Sequence, residues 1–305
     1  MAKFDVVGFG ALNVDKLFKV NKIAGKDEES FVVDYHESCG GSAANTIVGL
    51  ARLGLNTGFV GKVADDRKGK LLLNDFKEEN VDTKGIVVVK KGQSGLVMGF
   101  VDNKGERALY VASGVNDKWD FKEVNGDYVE KTKFLHLSSF VGNKSFETQK
   151  KLVEQLPERV KVSFDPGALY AKRGLSALRP IIRRVYALLL NETELKLLTG
   201  REYEDGVTKL VEEGVNIVAV KLGKKGCFVA DGEESYLIEP FKVEVVDTTG
   251  AGDAWNAGFL SGLHKGKRLR ECGAIGNFVA SKCIMRMGAR TGLPRSADLH
   301  QLSGT

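Results

Sequence analysis

Short apolar runs rich in β-branched residues alternate with longer amphipathic segments along most of this chain, and this alternation constrains the fold more than any other feature. Strand-like runs fall at 4–10, 57–63, 86–89, 134–137, 160–164, 186–190 and 217–222. Helical spacing of apolar residues appears between them, for example at 47–53 and 67–79. Strands that alternate with helices in this way form parallel sheets covered by helices. The sequence therefore predicts an α/β fold with a mostly parallel central sheet.

Two segments interrupt the alternation and read as β structure outside the main sheet. Residues 17–35 alternate irregularly between polar and apolar, and a hairpin is predicted from strands at 95–101 and 107–111. The turn between those strands is Asp102-Asn103-Lys104-Gly105-Glu106. We expect insertions at about 14–37 and 92–112 to form a small β lid, which would exclude water from a site beneath it.

Bulk composition excludes several classes of protein. The 305 residues, 43% of them hydrophobic, suit one large domain spanning 1–305. No apolar run reaches the roughly 20 residues that span a bilayer, and the chain enters a strand pattern without a signal peptide, so a cytoplasmic location without membrane contact is expected. The net charge of +5 and basic stretches without interleaved aromatic residues predict no nucleic-acid partner. Four scattered histidines and four cysteines lack zinc-ligand spacing, and reduced, buried cysteines are expected.

A glycine turn at 247–253, Asp247-Thr248-Thr249-Gly250-Ala251-Gly252-Asp253, precedes an amphipathic segment at 254–263. With a strand predicted at 243–246, the glycines lie where a helix begins and backbone N–H groups lack internal partners. An anion is stabilised at such a position, and Asp253 beside it could accept a proton from a hydroxyl group. The alternative interpretation is an aspartate that caps the helix after a glycine turn.

A second glycine turn follows the first strand and invites comparison with dinucleotide-binding proteins. The pattern Gly8-x-Gly10 has Asn13 where that fingerprint requires glycine or alanine, and 14–20 reads as a strand instead of a helix. A nicotinamide-dependent oxidoreductase is therefore disfavoured. Asn13 and Asp15 instead place an amide and a carboxylate beyond a strand end, where they suit vicinal hydroxyl groups, although an Asx turn is the simpler interpretation.

Two further turns carry polar groups to predicted strand or helix ends. Gly40-Gly41-Ser42-Ala43-Ala44-Asn45 opens a helix, and Asn45 could reach the same ligand as Asp15, although tight packing alone would explain the glycines. Asn191-Glu192-Thr193-Glu194 follows a strand and suits hydrated Mg²⁺ beside a triphosphate. A helix capped by Asn191 is the alternative for that second turn.

Four motifs in this order resemble the ribokinase-like, or PfkB, family of carbohydrate kinases across essentially the whole chain. They are residues 10–15, 40–45, 191–194 and 247–253, the last continuing as Ala254-Trp255-Asn256-Ala257-Gly258-Phe259. The resemblance implies a three-layer αβα sandwich with a mostly parallel central sheet and a small β-sheet lid. It also implies transfer of the terminal phosphoryl group of a nucleotide, ATP with Mg²⁺, to a hydroxyl group of a sugar or nucleoside.

The resemblance assigns roles to individual positions. Asp253 matches the catalytic base, and the backbone N–H groups of Gly250, Ala251 and Gly252 match the anion hole. The positions that match acceptor contacts are Asn13, Asp15, Gly41 and Asn45. The positions that match nucleotide or phosphate contacts are Asn191, Lys221, Gly223, Gly226 and Asn277. Glu194 matches a residue that acts on Mg²⁺ indirectly, and Asp247 and Thr249 match positions that bind a monovalent cation, such as K⁺, in some members.

The acceptor and donor stay open within this family. Where ribokinase has a lysine two residues after its Gly-Gly, this chain has Ala43, and the turn at 164–167 resembles other branches, so ribose is not singled out. Arg107 in the lid could bind a phosphorylated acceptor or pair with Glu106. ADP as donor, a homodimer formed through the lid and a catalytically silent nucleotide-binding protein are alternatives. No Walker A pattern occurs in the chain, which excludes a P-loop kinase.

Overall fold

The computed structural model describes residues 2–304, so both ends of the predicted 1–305 domain lie outside the described residues. Nine strands form the main sheet, in the spatial order β13-β12-β11-β10-β9-β8-β1-β4-β5. Their bounds are β1 Phe4–Phe9, β4 Thr57–Ala64, β5 Asp82–Val89, β8 Thr132–Ser138, β9 Lys161–Asp165, β10 Val185–Asn191, β11 Ile217–Lys221, β12 Cys227–Ala230 and β13 Ser235–Ile238.

The seven strands from β11 to β5 are parallel, and β12 and β13 pair antiparallel at one edge. The chain runs outward from β1 through β4 and β5, then returns to β8 and continues in the other direction. The strand order thus reverses between β1 and β8. In open α/β sheets, ligands bind beyond the carboxyl ends of the strands near such a reversal.

Helices cover both faces of the sheet, which confirms the predicted three layers. The helices are α1 Ser42–Arg52, α2 Arg67–Glu78, α3 Gly126–Val129, α4 Asn143–Gln155, α5 Gly167–Ala171, α6 Gly174–Ile182, α7 Glu192–Thr199, α8 Tyr203–Glu212, α9 Ala251–His264 and α10 Leu269–Ile284. Short 3-10 helices lie at Gly114–Asp117, Phe121–Glu123, Gly223–Lys225 and Ser296–Gly304. Successive residues of one strand enter opposite cores: Val6 packs with α1 and α9, whereas Val7 packs with the layer that contains α4 and α7.

A second sheet of four strands stands apart from the main one, in the order β3-β2-β6-β7. Its strands are β2 Asn13–Val20, β3 Val32–Gly40, β6 Gly95–Val101 and β7 Arg107–Ala112. The small sheet predicted from the two interruptions is thus present, and β3 runs past the predicted end of the first insertion, at about 37, to Gly40. Pairing joins Lys19 to Val101 and Val101 to Arg107, so Lys19 and Arg107 lie on the sheet face that also carries Asp15.

The strand predicted at 243–246 is wrong. This segment forms no strand, and Val245 and Val246 are more than half exposed. The N–H groups of Val246 and Asp247 both donate to the carbonyl of Ile284 at the end of α10, at 2.8 and 3.2 Å, instead of entering a sheet ladder. The glycine turn at 247–253 therefore follows an extended loop that is attached to α10.

The backbone of Gly41 explains one of the glycines at the start of α1. Gly41 is the residue before the helix and has φ 111° and ψ 126°, and a Cβ atom there would collide with the carbonyl oxygen of Ala11. We expect Gly41→Ala to lower the free energy of unfolding by more than about 2 kcal/mol, measured by urea titration. Gly105→Ala is the matched control, because Gly105 has φ 81° but open space around it. A loss for Gly41→Ala no larger than that of the control would contradict the collision.

Two predictions from composition can be compared with this structure. Within residues 2–304, no helix combines the length and apolarity needed to cross a bilayer. All four cysteines are free thiols; Cys227, Cys272 and Cys283 are buried, and Cys39 is half-buried.

Candidate active site

Asp253 lies in the first turn of α9 and points across to α1. Its carboxylate accepts hydrogen bonds from Ser42 Oγ at 2.6 Å and from Asn45 Nδ2 at 2.8 Å. The two helices approach closely because Gly49 faces Ala257 without a side chain between them. Residue Gly250, not Asp253, occupies the position before the helix, so the interpretation of Asp253 as a helix cap is wrong.

Two opposing effects act on the pKa of Asp253. Burial raises the pKa of its carboxyl group to about 6, while the hydrogen bonds from Ser42 and Asn45 favour the ionised form. A carboxylate with a pKa near the working pH is suited to accept a proton from a hydroxyl group.

Asp15 and Asn13 lie on β2, opposite the start of α1. Burial raises the pKa of Asp15 to about 7; the charge of Arg290 lowers it and that of Asp253 raises it. Asp15 Oδ1 is buried and has no hydrogen-bond partner among the described residues. Asn13 Oδ1 already accepts from Asn116 Nδ2 at 3.0 Å. Both residues pair with β3 within a regular ladder, so neither forms the Asx turn that was the alternative.

Asn45, in the first turn of α1, and Gly41, just before this helix, line the space between Asp15 and Asp253, which we call the cleft. Gly40 lies against the carboxylate of Asp15, which leaves no room for a side chain at that position. Asn45 is buried and connects to both sides, because its Oδ1 accepts from Arg290 Nε at 2.7 Å while its Nδ2 holds Asp253. The structure therefore brings three predicted acceptor contacts, Asp15, Gly41 and Asn45, close to the predicted base.

The turn at 250–252 has the backbone geometry of an anion site, with one N–H group already used. Gly250 has φ 75°, and α9 begins at the next residue, so the N–H groups of the first turn lack intrahelical acceptors. The N–H of Ala251 donates to the carbonyl of Thr248 at 3.2 Å. The macrodipole of the 14-residue α9 adds positive potential at this end.

A buried ion pair lies directly beneath this turn. Lys221 Nζ donates to Asp165 Oδ2 at 2.7 Å and to Asn256 Oδ1 at 3.1 Å, and Asn256 Nδ2 donates to the same carboxylate at 2.6 Å. Burial opposes both charges, but each stabilises the other: the pKa of Asp165 is lowered and that of Lys221 is raised. Lys221 also lies beside Gly252, so its ammonium group adds positive charge near the turn.

The turn after β10, residues 191–194, forms a helix cap, which was the alternative to a magnesium site in the sequence analysis. Asn191 Oδ1 accepts from the N–H of Glu194, and Glu194 Oε2 accepts from the N–H of Asn191, both at 2.9 Å. Burial raises the pKa of Glu194, with a further contribution from Asp165. The cap directs the buried Glu194 towards the cluster of Asp165, Lys221 and Asp253. Residues 2–304 contain no group of three or more histidine, cysteine or acidic residues arranged to hold a metal ion.

The other predicted nucleotide residues lie at and just after the end of β11 and in the middle of α10. Gly223 and Gly226 flank a 3-10 turn, with φ 58° and 87°. The amide of Asn277 is engaged inside the protein: it accepts from Trp255 Nε1 at 2.9 Å and donates to the carbonyls of Ile238 and Glu239. Asn277 therefore shapes the wall of this region through its neighbours, and direct contact with a nucleotide stays a prediction.

Asp247 ties the glycine turn to the C-terminal loop. Its carboxylate accepts from the N–H and hydroxyl of Thr249 at 2.9 and 2.7 Å, and from the N–H of Gly288 at 2.8 Å. Burial opposes ionisation, but these hydrogen bonds and the charge of Arg107 lower the pKa of Asp247. Both Asp247 oxygens accept hydrogen bonds, and a monovalent cation at Asp247 and Thr249 stays a prediction.

Sequence reasoning missed several residues of the cleft. They are Ser42, Asp165, Asn256 and Arg290. Ser42 lies inside a motif that was recognised, and its place at the start of α1 was the available signal. Asn256 lies in the recognised continuation of the 247–253 motif. Asp165 and Arg290 join the site through contacts 56 to 245 residues apart in sequence, which no local pattern reveals.

Comparison with known proteins gives consistent matches. The model of the pfkB family carbohydrate kinases matches residues 3–296. A sugar kinase of Archaeoglobus fulgidus that is itself uncharacterised is 46% identical over 254 residues, covering 82% of this chain and all of the relative. An ATP-dependent ribose-1-phosphate kinase of Halopiger xanaduensis is 33% identical and covers 84% of this chain and 83% of the relative. The crystal structure of ribokinase from Thermotoga maritima, 25% identical, aligns over 99% of this chain and 100% of its own with a TM-score of 0.88.

Proposed function

Since this chain belongs to the pfkB family of carbohydrate kinases, and is thus a phosphotransferase with an alcohol group as acceptor, we propose that it transfers the terminal phosphoryl group of MgATP to a hydroxyl group of a sugar or nucleoside. The observation that carries the proposal is Asp253, held by Ser42 and Asn45 at the start of α9, next to the glycine turn. A base and an anion site are thus adjacent.

In the proposed reaction, Asp253 takes the proton of the acceptor hydroxyl group while that oxygen attacks the terminal phosphorus. The bond from phosphorus to the bridging oxygen breaks, and the nucleoside diphosphate leaves. N–H groups of the 250–252 turn, together with Lys221 behind it, stabilise the charge on the transferred group. Glu194 and Asn191 would hold the Mg²⁺ through water, and the ion would neutralise charge on the phosphates. Asp15 and Asn45 orient the acceptor.

A phosphorylated sugar is a second candidate acceptor, and two observations favour it. Lys19 and Arg107 place positive charge on the lid face that also carries Asp15. One relative, the Halopiger enzyme, is named for activity on ribose 1-phosphate with ATP. The positive charge of Lys19 and Arg107 would attract a phosphate group on the acceptor, and arginine binds phosphate through paired hydrogen bonds.

The donor and acceptor can be identified by one assay. Purified protein is incubated with ATP or ADP in parallel over a panel of free sugars, sugar phosphates and nucleosides, and formation of the nucleotide product is measured. We expect turnover with ATP and Mg²⁺ on at least one acceptor. Turnover with ADP but not with ATP would identify ADP as the donor. If no acceptor of the panel is phosphorylated, the result would favour a catalytically silent nucleotide-binding protein. The oxidoreductase alternative is not retained, because β2 follows the first glycine turn where a dinucleotide-binding helix would begin.

Substitution of Arg107 tests the phosphorylated acceptor. We expect Arg107→Gln to raise KM for a sugar phosphate by about 10-fold or more, since a charge-assisted hydrogen bond is lost, and to leave KM for an unphosphorylated acceptor unchanged. Lys104→Gln, in the exposed turn of the same hairpin, is the control. Equal changes in KM for both kinds of acceptor would exclude a phosphate contact.

The homodimer through the lid and the cytoplasmic location stay predictions.

A further inference from the structure

A chain of hydrogen bonds leads from α2 through the C-terminal loop to the proposed base. The carboxylate of Asp75 accepts from Arg290 Nη1, Arg290 Nε donates to Asn45 Oδ1, and Asn45 Nδ2 donates to Asp253. Taking the proposed function as its basis, we infer that Arg290 is a positioning residue for the base, acting through Asn45, and that Asp75 fixes Arg290 in turn.

The donor and acceptor chemistry of Arg290, Asn45 and Asp253 fixes which group donates each hydrogen bond. Arginine can only donate hydrogen bonds, and an ionised carboxylate can only accept them. Asn45 lies between the two, so only one orientation of its amide satisfies both neighbours: oxygen towards Arg290 and nitrogen towards Asp253. A neutral residue at position 290 would weaken this selection, because only the carboxylate of Asp253 would then orient the amide of Asn45.

Arg290 is itself held rigidly. Its side chain is 9% exposed, its backbone carbonyl accepts from Arg52 Nη1 at 2.6 Å, and its guanidinium lies 5.9 Å from the ring centroid of Phe76. Lysine cannot reproduce this arrangement, since one ammonium group lacks the planar fork that reaches Asp75 and Asn45 together.

Arg290 also acts on Asp15, on the side of the cleft that is proposed to bind the acceptor. Arg290 Nη2 and Asp15 Oδ1 are both buried without a hydrogen-bond partner in the described part of the chain. They belong to groups of opposite charge that influence each other, because Arg290 lowers the pKa of Asp15 against the effect of burial. The guanidinium therefore also favours an ionised Asp15, the form that accepts a hydrogen bond from an acceptor hydroxyl group.

Kinetic measurements on matched variants test the inference. We expect Arg290→Gln to lower kcat by about 10- to 100-fold while KM for the nucleotide changes little, because the base is misaligned and the donor site is intact. Arg290→Lys and Asp75→Asn should give smaller losses. Arg286→Gln, an exposed arginine of the same loop, is the control and should keep the activity of the natural enzyme.

A measurement independent of turnover separates this inference from the proposed function. The charged or titratable groups that influence Asp253 are Asp15 on β2, Asp165 on β9, Glu194 on α7, Lys221 on β11 and Cys283 on α10. We expect Arg290→Gln to raise the pKa of Asp253 above about 6, because the Asn45 amide is then held less firmly as a donor to its carboxylate. Carbon-13 NMR of protein labelled at the aspartate carboxyl carbon, with Asp253 assigned by Asp253→Asn, reads this value directly.

Each outcome decides the matter. A kcat within twofold of the natural enzyme and an unchanged Asp253 titration in folded Arg290→Gln would overturn the inference. The double variant Asp75→Asn with Arg290→Gln should lose no more than Arg290→Gln alone, and additive losses would remove Asp75 from the chain of contacts. If Arg290→Gln does not fold, Arg290→Lys and Asp75→Asn answer the same questions. If no acceptor is phosphorylated by the natural enzyme, the proposed function fails, and the NMR titration still tests Arg290.

Discussion

Replacing Asp253 with asparagine is expected to lower kcat by about 10²- to 10⁴-fold, the range in which a positioned base accelerates a proton transfer. Asparagine keeps the shape of the side chain but cannot take a proton from the acceptor. KM for the nucleotide should change little, since the glycine turn and Lys221 are untouched. Steady-state kinetics with a saturating acceptor measures the effect, and retention of more than a tenth of the activity would exclude Asp253 as the base.

The pH dependence of the natural enzyme should report the same group. Because burial raises the pKa of Asp253 to about 6 and that of Asp15 to about 7, kcat/KM should fall as the pH decreases through this range and both carboxylates become protonated.

Stability should change with pH in the opposite sense. The folded-state pKa of Asp253 lies above its ordinary value of 3.8, so its contribution to stability is fully present below pH 3.8 and is lost as the pH rises through about 6. We therefore expect Asp253→Asn to melt at a higher temperature than the natural protein at pH 8, with the difference vanishing at pH 4. A higher melting temperature of the variant at pH 8 would show that the proposed base lowers stability.

The largest loss of stability is expected from breaking the ion pair beneath the glycine turn. Asp165→Ala leaves the ammonium group of Lys221 buried without its carboxylate, and removal of one partner of a buried pair costs about 3–5 kcal/mol. Urea unfolding should show a lower midpoint with an unchanged slope. A double replacement, Asp165→Leu with Lys221→Met, should recover part of this loss, since neither charge is then unpaired, while the buried amide of Asn256 loses both of its partners.

An exposed pair provides the control for that experiment. Lys196 and Glu202 form an ion pair with both side chains more than 60% exposed, and Glu202→Ala should leave the unfolding midpoint unchanged. A loss of less than about 1 kcal/mol for Asp165→Ala would indicate that water solvates Lys221, contrary to its position beneath the turn.

Much of the fold could be predicted because its signals are local. A run such as 57–63 indicates a buried strand, and 67–79 indicates an amphipathic helix, without reference to the rest of the chain. The exception at 243–246 is instructive. Its β-branched residues favour extended backbone, but among the described residues it pairs with no strand, and the carbonyl of Ile284 accepts hydrogen bonds from Val246 and Asp247 instead.

The candidate site could be predicted where glycines mark turns and only in part elsewhere. Asp253, Asp15 and Asn45 were found because each lies in or beside a glycine turn at the end of an element. The segment around Arg290 has the local pattern of an ordinary basic loop, and Asp165 has that of a turn residue before a proline. Their importance depends on which helices and strands pack together, and that information is tertiary.

The bond between Asn45 and Arg290 also has a consequence for how the molecule is made. These residues are 245 positions apart, so a ribosome working at about 5–20 residues per second makes Arg290 roughly 12–50 seconds after Asn45. Throughout that interval the nascent chain carries the half of the cleft that is proposed to bind the acceptor, but lacks the Arg290 guanidinium and, for most of the interval, Asp253 and the glycine turn. Newly made chains should therefore acquire activity only at the end of synthesis, and fragments that lack the last helix and its loop should be inert.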